Sequence, residues 1–105
     1  MTYRVAVCYG RPTDPEAFDK YYNEIHVPLA SAVPGLSDFT FSKCSTLDGS
    51  DPVFYAVANL EFPDLETMQS GLKSPEMGAA GKDVANFATA YDVLTLVAKT
   101  RPEGN

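Results

Sequence analysis

Alternation in the strand-like runs constrains this chain more than any other feature. Within Tyr3–Tyr9, Val5 and Val7 fall on one face, and Ala6 and Cys8 on the other. From Val53 to Phe62, one face holds Phe54, Ala56, Ala58 and Leu60, and the other holds Val53, Tyr55 and Val57. Tyr91–Ala98 is likewise apolar on both faces. Strands of that kind need cover on both sides. Helices lying on one side of a sheet shield only that side. The other side then predicts a second copy of the chain packed against it, because monomers rarely leave a large apolar patch in water. At 105 residues the chain fits one domain, and a domain this small gains from burial against a partner.

The order of elements follows from local signals. Tyr3–Tyr9 reads as a strand stopped by Gly10 and Pro12. Asp14 then caps a helix, with Pro15 at its first position and Glu16 in its first turn. That helix runs to about Val33, with Phe18, Tyr22, Ile25, Leu29 and Ala32 as its expected buried stripe. Pro28 interrupts the pattern and predicts a kink, since its ring crowds the carbonyl of Glu24 and removes a donor. Phe39, Phe41 and Lys43 alternate with polar residues in a second strand. An Asp48-Gly49 turn leads to the third, Val53–Phe62. Asp64 starts a short helix with Leu65, Met68 and Leu72 on one face, and Ser74-Pro75-Glu76 starts another. Tyr91–Ala98 is the last strand. The sum is β-α-β-β-α-β, an α+β ferredoxin-like domain over residues 1–100, with 101–105 as a polar tail.

Charge and composition narrow the partners. A net charge of −6 with no basic run argues against nucleic acid. No apolar stretch approaches the length of a membrane span, and the N-terminus has no signal-peptide pattern. Cys8 and Cys44, both in strand-like runs, are expected to be reduced thiols of a cytoplasmic protein. One histidine and two separated cysteines give no metal-binding spacing. Gly71-Leu72-Lys73-Ser74 lacks the preceding glycine-rich run of a phosphate loop.

Candidate chemistry therefore centres on His26, the one imidazole. It follows Tyr22 by four residues, so the two share a helix face. Either His26 caps carbonyls freed by the Pro28 kink, or it moves protons in a pocket between helix and sheet, a task suited to a side chain that titrates near neutral pH. Tyr22 is either a core aromatic or a donor to a substrate oxygen. Asp83 borders the inward face of the second helical region and is either a solvated acid or the group that orients His26. The residues leave each of these pairs open.

The segment Phe18-Asp19-Lys20-Tyr21-Tyr22-Asn23-Glu24-Ile25-His26-Val27-Pro28-Leu29 resembles the Phe-x-x-Tyr-Tyr-x-x-x-His-x-Pro-Leu signature of EthD-like proteins. Val33-Pro34-Gly35-Leu36 and Asp83-Val84-Ala85-Asn86-Phe87 are similar to its other recurring patches. The resemblance implies a dimeric α+β barrel with a small apolar pocket in each subunit. Its wider superfamily includes methylmuconolactone isomerases, polyketide cyclases and cofactor-free quinone-forming monooxygenases, and EthD-like proteins tend to carry a loose oxidoreductase label. By matching position, the resemblance makes His26 and Tyr22 the catalytic pair and Val5, Val7, Met77 and Asp83 the pocket walls. Some cyclase relatives place a further histidine in the second helical region, and this chain has none there. The implied function is a cofactor-independent isomerase, cyclase or oxidoreductase acting on an apolar oxygenated molecule. The alternative is a binding or accessory protein with the same pocket and no turnover.

Overall fold

A computed structural model describes residues 2–88 and 93–100 of the chain. Four strands, β1 (Thr2–Tyr9), β2 (Asp38–Lys43), β3 (Ala56–Phe62) and β4 (Val93–Thr100), form one sheet in the order β2-β3-β1-β4. Every neighbouring pair is antiparallel. Helices α1 (Pro15–Tyr21) and α2 (Val27–Ser31) connect β1 to β2, and α3 (Leu65–Leu72) and α4 (Pro75–Asp83) connect β3 to β4. This is the ferredoxin-like α+β arrangement expected from the order of elements. The expected polar tail, 101–105, and the first two residues expected in the last strand, Tyr91 and Asp92, lie outside the described residues.

Helix starts follow the predicted chemistry. Asp14, Asp64 and Ser74 accept hydrogen bonds from the backbone N–H groups of Ala17, Thr67 and Met77, which satisfies donors that a first helical turn cannot pair internally. Side chains of β1 at Val5, Val7 and Tyr9 stand opposite Leu60, Ala58 and Ala56 of β3. With Phe18, Tyr22, Val33, Phe62 and Met68 they make the core between sheet and helices.

Three details depart from expectation. The third strand begins at Ala56, not Val53, and Val53 is exposed. Tyr55, expected on the outer face, turns to the helix side instead. Its ring meets Phe18 edge-on, and its hydroxyl donates to Asp19 at 2.8 Å.

The third departure is in the first helical segment. Tyr22–His26 is a π turn inserted between α1 and α2, in which the Val27 N–H reaches back to the Tyr22 carbonyl. Widening the turn by one residue just before Pro28 spares an α-helical clash between the proline ring and the preceding turn. It also rotates everything downstream. The buried positions become Phe18, Tyr22, His26, Ala30 and Val33. Ile25, expected in the stripe, is 45% exposed, and Ala32 faces solvent. The π turn thereby carries His26 from the stripe's edge to its centre.

Candidate active site

His26 is only 4% exposed, a position an imidazole keeps only with partners for its polar atoms. Its Nδ1 lies 3.0 Å from Asp83 Oδ2, a contact that joins the π turn to the end of α4. Asp83 is itself buried and fully engaged. Its Oδ1 accepts from the Tyr21 hydroxyl at 2.6 Å and from Asn86 Nδ2 at 3.0 Å. Burial raises the Asp83 pKa, but the hydrogen bonds from Tyr21, Asn86 and His26 outweigh it, and the carboxyl stays below its ordinary value. An ionised Asp83 accepts a hydrogen bond from the Nδ1–H of His26, and this tautomer leaves Nε2 with its lone pair. No described residue hydrogen-bonds Nε2.

His26 lines a cavity of about 310 Å³ between helices and sheet. Aliphatic side chains dominate its wall, and the polar groups are His26, Tyr22, Tyr9 and Thr95. Tyr22 is wholly buried, lies face to face with Phe41 at 4.1 Å between ring centroids, and its hydroxyl has no hydrogen-bond partner among the described residues. Burial, then the neighbouring Tyr9 phenol, drives its pKa far up. Tyr9 is pushed up to about 12, first by burial and then by the Asp83 charge, and Tyr22 pulls it part of the way back. Both phenols thus remain neutral O–H donors near pH 7. The Phe87 ring stands edge-on to His26 at 4.7 Å and closes the imidazole's other flank.

The structure brings His26, Tyr22, Val7 and Met77 to one cavity. Asp83 is not in its wall but behind His26. Val5, also expected as a wall, is packed in the core and does not line the cavity. Sequence reasoning missed Tyr21, Asn86 and Tyr9. The adjacent Tyr21-Tyr22 pair held a signal, since neighbouring helical side chains diverge and two tyrosines can serve two environments. Among the described residues no cluster of three His, Cys, Asp or Glu side chains is arranged to hold a metal ion.

A family model described as the EthD domain matches residues 10–90. The chain belongs to the EthD family. An uncharacterised 11.0 kDa protein encoded in the thcB-thcC intergenic region of Rhodococcus erythropolis is 44% identical over 87 residues, which is 83% of this chain and 84% of that protein. The structure of an EthD family protein from Bacillus halodurans is similar at a TM-score of 0.88 and 27% identity, over 96% of this chain and 100% of that one. A dimeric ferredoxin-like protein of unknown function from a Jannaschia species is similar at a TM-score of 0.71 and 17% identity, over 95% and 100% of the two chains. SnoaB of Streptomyces nogalater, a cofactor-independent oxygenase, is similar at a TM-score of 0.65 and 14% identity, over 98% and 95%. Those last two likenesses concern the fold alone. The EthD signature around Tyr22 and His26 here coincides with the π turn and the cavity wall.

Proposed function

We propose that this EthD protein is a cofactor-independent enzyme that moves a proton on a small, apolar, oxygenated molecule bound beside His26. The observation that carries the reading is a buried imidazole held by a carboxylate on one nitrogen, with the other nitrogen unpaired among the described residues and the ring at an apolar cavity. Nε2 takes a proton from a carbon next to a carbonyl, the C–H electron pair forms a carbon–carbon double bond, and the carbonyl π pair moves to the oxygen. Tyr22 donates its unpartnered hydroxyl to the resulting enolate, and Asp83 offsets the charge of the imidazolium. Returning the proton at a different carbon gives an isomerase. Attack of the enolate on an internal electrophile gives a cyclase. Its oxidation by dioxygen gives a carbon-bound hydroperoxide, and loss of water from that, with cleavage of the O–O bond, leaves a new carbonyl, which is a monooxygenase.

The protein acts as a homodimer in this reading, its open sheet face against that of a second copy. It works in the cytoplasm, where free thiols such as Cys8 and Cys44 persist. Turnover of candidate lactones and phenols across pH, by wild type and His26→Ala, tests the reading. The expected result is a loss of at least roughly 100-fold in rate with ligand affinity retained. Binding without turnover in both proteins would point to an accessory role, and equal turnover in both would remove His26 from the mechanism.

A further inference from the structure

The acid behind His26 is held by more than its histidine. Tyr21 comes from the last residue of α1 and Asn86 from the turn after α4. Both donate to Oδ1 of Asp83, and among the described residues only His26 meets Oδ2. The two oxygens of one carboxylate are therefore assigned different duties. Tyr21 also lines a separate outer cleft of about 450 Å³ that includes Arg11, Phe18 and Phe87, and it does not line the inner cavity beside His26.

We propose that Tyr21 and Asn86 are positioning residues that orient the Asp83 side chain, and through it fix which nitrogen of His26 is bare. The proposal rests on the reading of His26 as the base but is tested without turnover. Its logic is one of donor counting. Tyr21 and Asn86 present hydrogens to Oδ1, so an oxygen there keeps both bonds, whereas an amide nitrogen would require the Tyr21 hydroxyl to accept and the Asn86 amide to turn over. A carboxylate has a second oxygen for His26. An amide does not: with its oxygen claimed by Tyr21 and Asn86, its NH₂ faces His26, and Nδ1 must then accept instead of donate. Asp83→Asn should thus move the ring proton to Nε2, the nitrogen the mechanism needs bare.

The titratable groups acting on Asp83 are Tyr21 from α1 and His26 from the π turn, and Asp83 in turn acts on the phenol of Tyr9 in β1. Removing the Tyr21 hydroxyl should therefore raise the midpoint at which Asp83 takes a proton.

Nitrogen-15 spectra of the imidazole test this cleanly, because the chain has a single histidine. At a pH where the ring is neutral, wild type should show the Nδ1–H tautomer and Asp83→Asn the Nε2–H tautomer. Adding Tyr21→Phe and Asn86→Ala to Asp83→Asn frees the amide to turn over. The tautomer ratio should then move back towards Nδ1–H by roughly tenfold, the worth of one hydrogen bond. In the Asp83 background, Tyr21→Phe should shift the Asp83 carboxyl titration upward, as read by carbon-13 shifts. Retention of Nδ1–H in Asp83→Asn, or an inversion that the two added substitutions leave untouched, would overturn the proposal. These outcomes are read with no substrate present. A protein that passes them and turns nothing over would refute the enzyme and leave the positioning network standing.

Discussion

Tyr22 holds a polar atom in a place that folding alone does not explain. A buried hydroxyl without a partner costs free energy, and exchanging it for hydrogen should cost nothing. Tyr22→Phe is therefore expected to leave stability unchanged or raise it by up to about 1 kcal/mol in urea unfolding, while ligand affinity or turnover falls. A stability loss together with intact binding would mark the residue as ordinary core. Residue identity made His26 and Tyr22 legible in the sequence, because a lone imidazole four positions from a tyrosine stands out. Asp83 was legible only as one of two options. Its contacts with Tyr21 and His26 span 62 and 57 positions, and no local pattern encodes such a meeting. Val5 shares a sheet face with Val7, but a face runs the length of the sheet and the cavity beside His26 occupies only part of it.

At the scale of elements, the caps and prolines were readable because their chemistry is local. Asp14-Pro15, Asp64 and Ser74-Pro75 each announce a helix start, and each accepts the expected backbone donor. The π turn was not readable. Pro28 signals a disturbance, but a kink and a one-residue insertion into the helical path resolve the same clash, and only packing selects between them. The difference is consequential, since it decides whether Ile25 or His26 faces the sheet. Paired substitutions test the register. Ile25→Lys should change stability by no more than about 0.5 kcal/mol, whereas Ala30→Lys, which buries an unpaired charge, should cost more than about 3 kcal/mol. Chemical denaturation reads both, and the opposite ranking would restore the uninterrupted helix. Similar close packing fixes the second pair of helices. A Cβ at Gly71 in α3 would stand 2.7 Å from the Pro34 carbonyl oxygen and 2.8 Å from a Phe62 ring carbon, so only glycine lets α3 lie this near.

For the whole molecule, the sheet has one face against the helices and one open one, and edge strand β4 is exposed on both, with Val97 58% exposed on the helix side. Register puts Leu94, Cys8 and Val57 side by side on the open face, then Leu96, Ala6 and Asn59, then Ala98 beside the Arg4–Glu61 ion pair. Leu94 and Leu96 are 45% and 50% exposed. The apolar ground is narrower than alternation alone suggested, because Tyr55 has left that face and β2 contributes Thr40 and Ser42 there. It still suits the proposed two-fold dimer. Sedimentation should give twice 11.4 kDa for wild type and the monomer mass for Leu96→Glu, which sets a charge in the contact. Among the described residues no helix is long and apolar enough to cross a membrane. The sheet and helices together keep an imidazole buried, oriented and in the wall of an apolar cavity, and proton abstraction is the step on which the proposed function stands. Deuterium uptake measures it directly, whatever the final product. A lactone carrying acidic hydrogens next to its carbonyl, incubated in D₂O with the wild-type protein, should gain deuterium at that carbon, and the His26→Ala protein should show only the uncatalysed background. Uptake at equal rates with both proteins, or at background with both across a panel of bound lactones and phenols, would contradict the account.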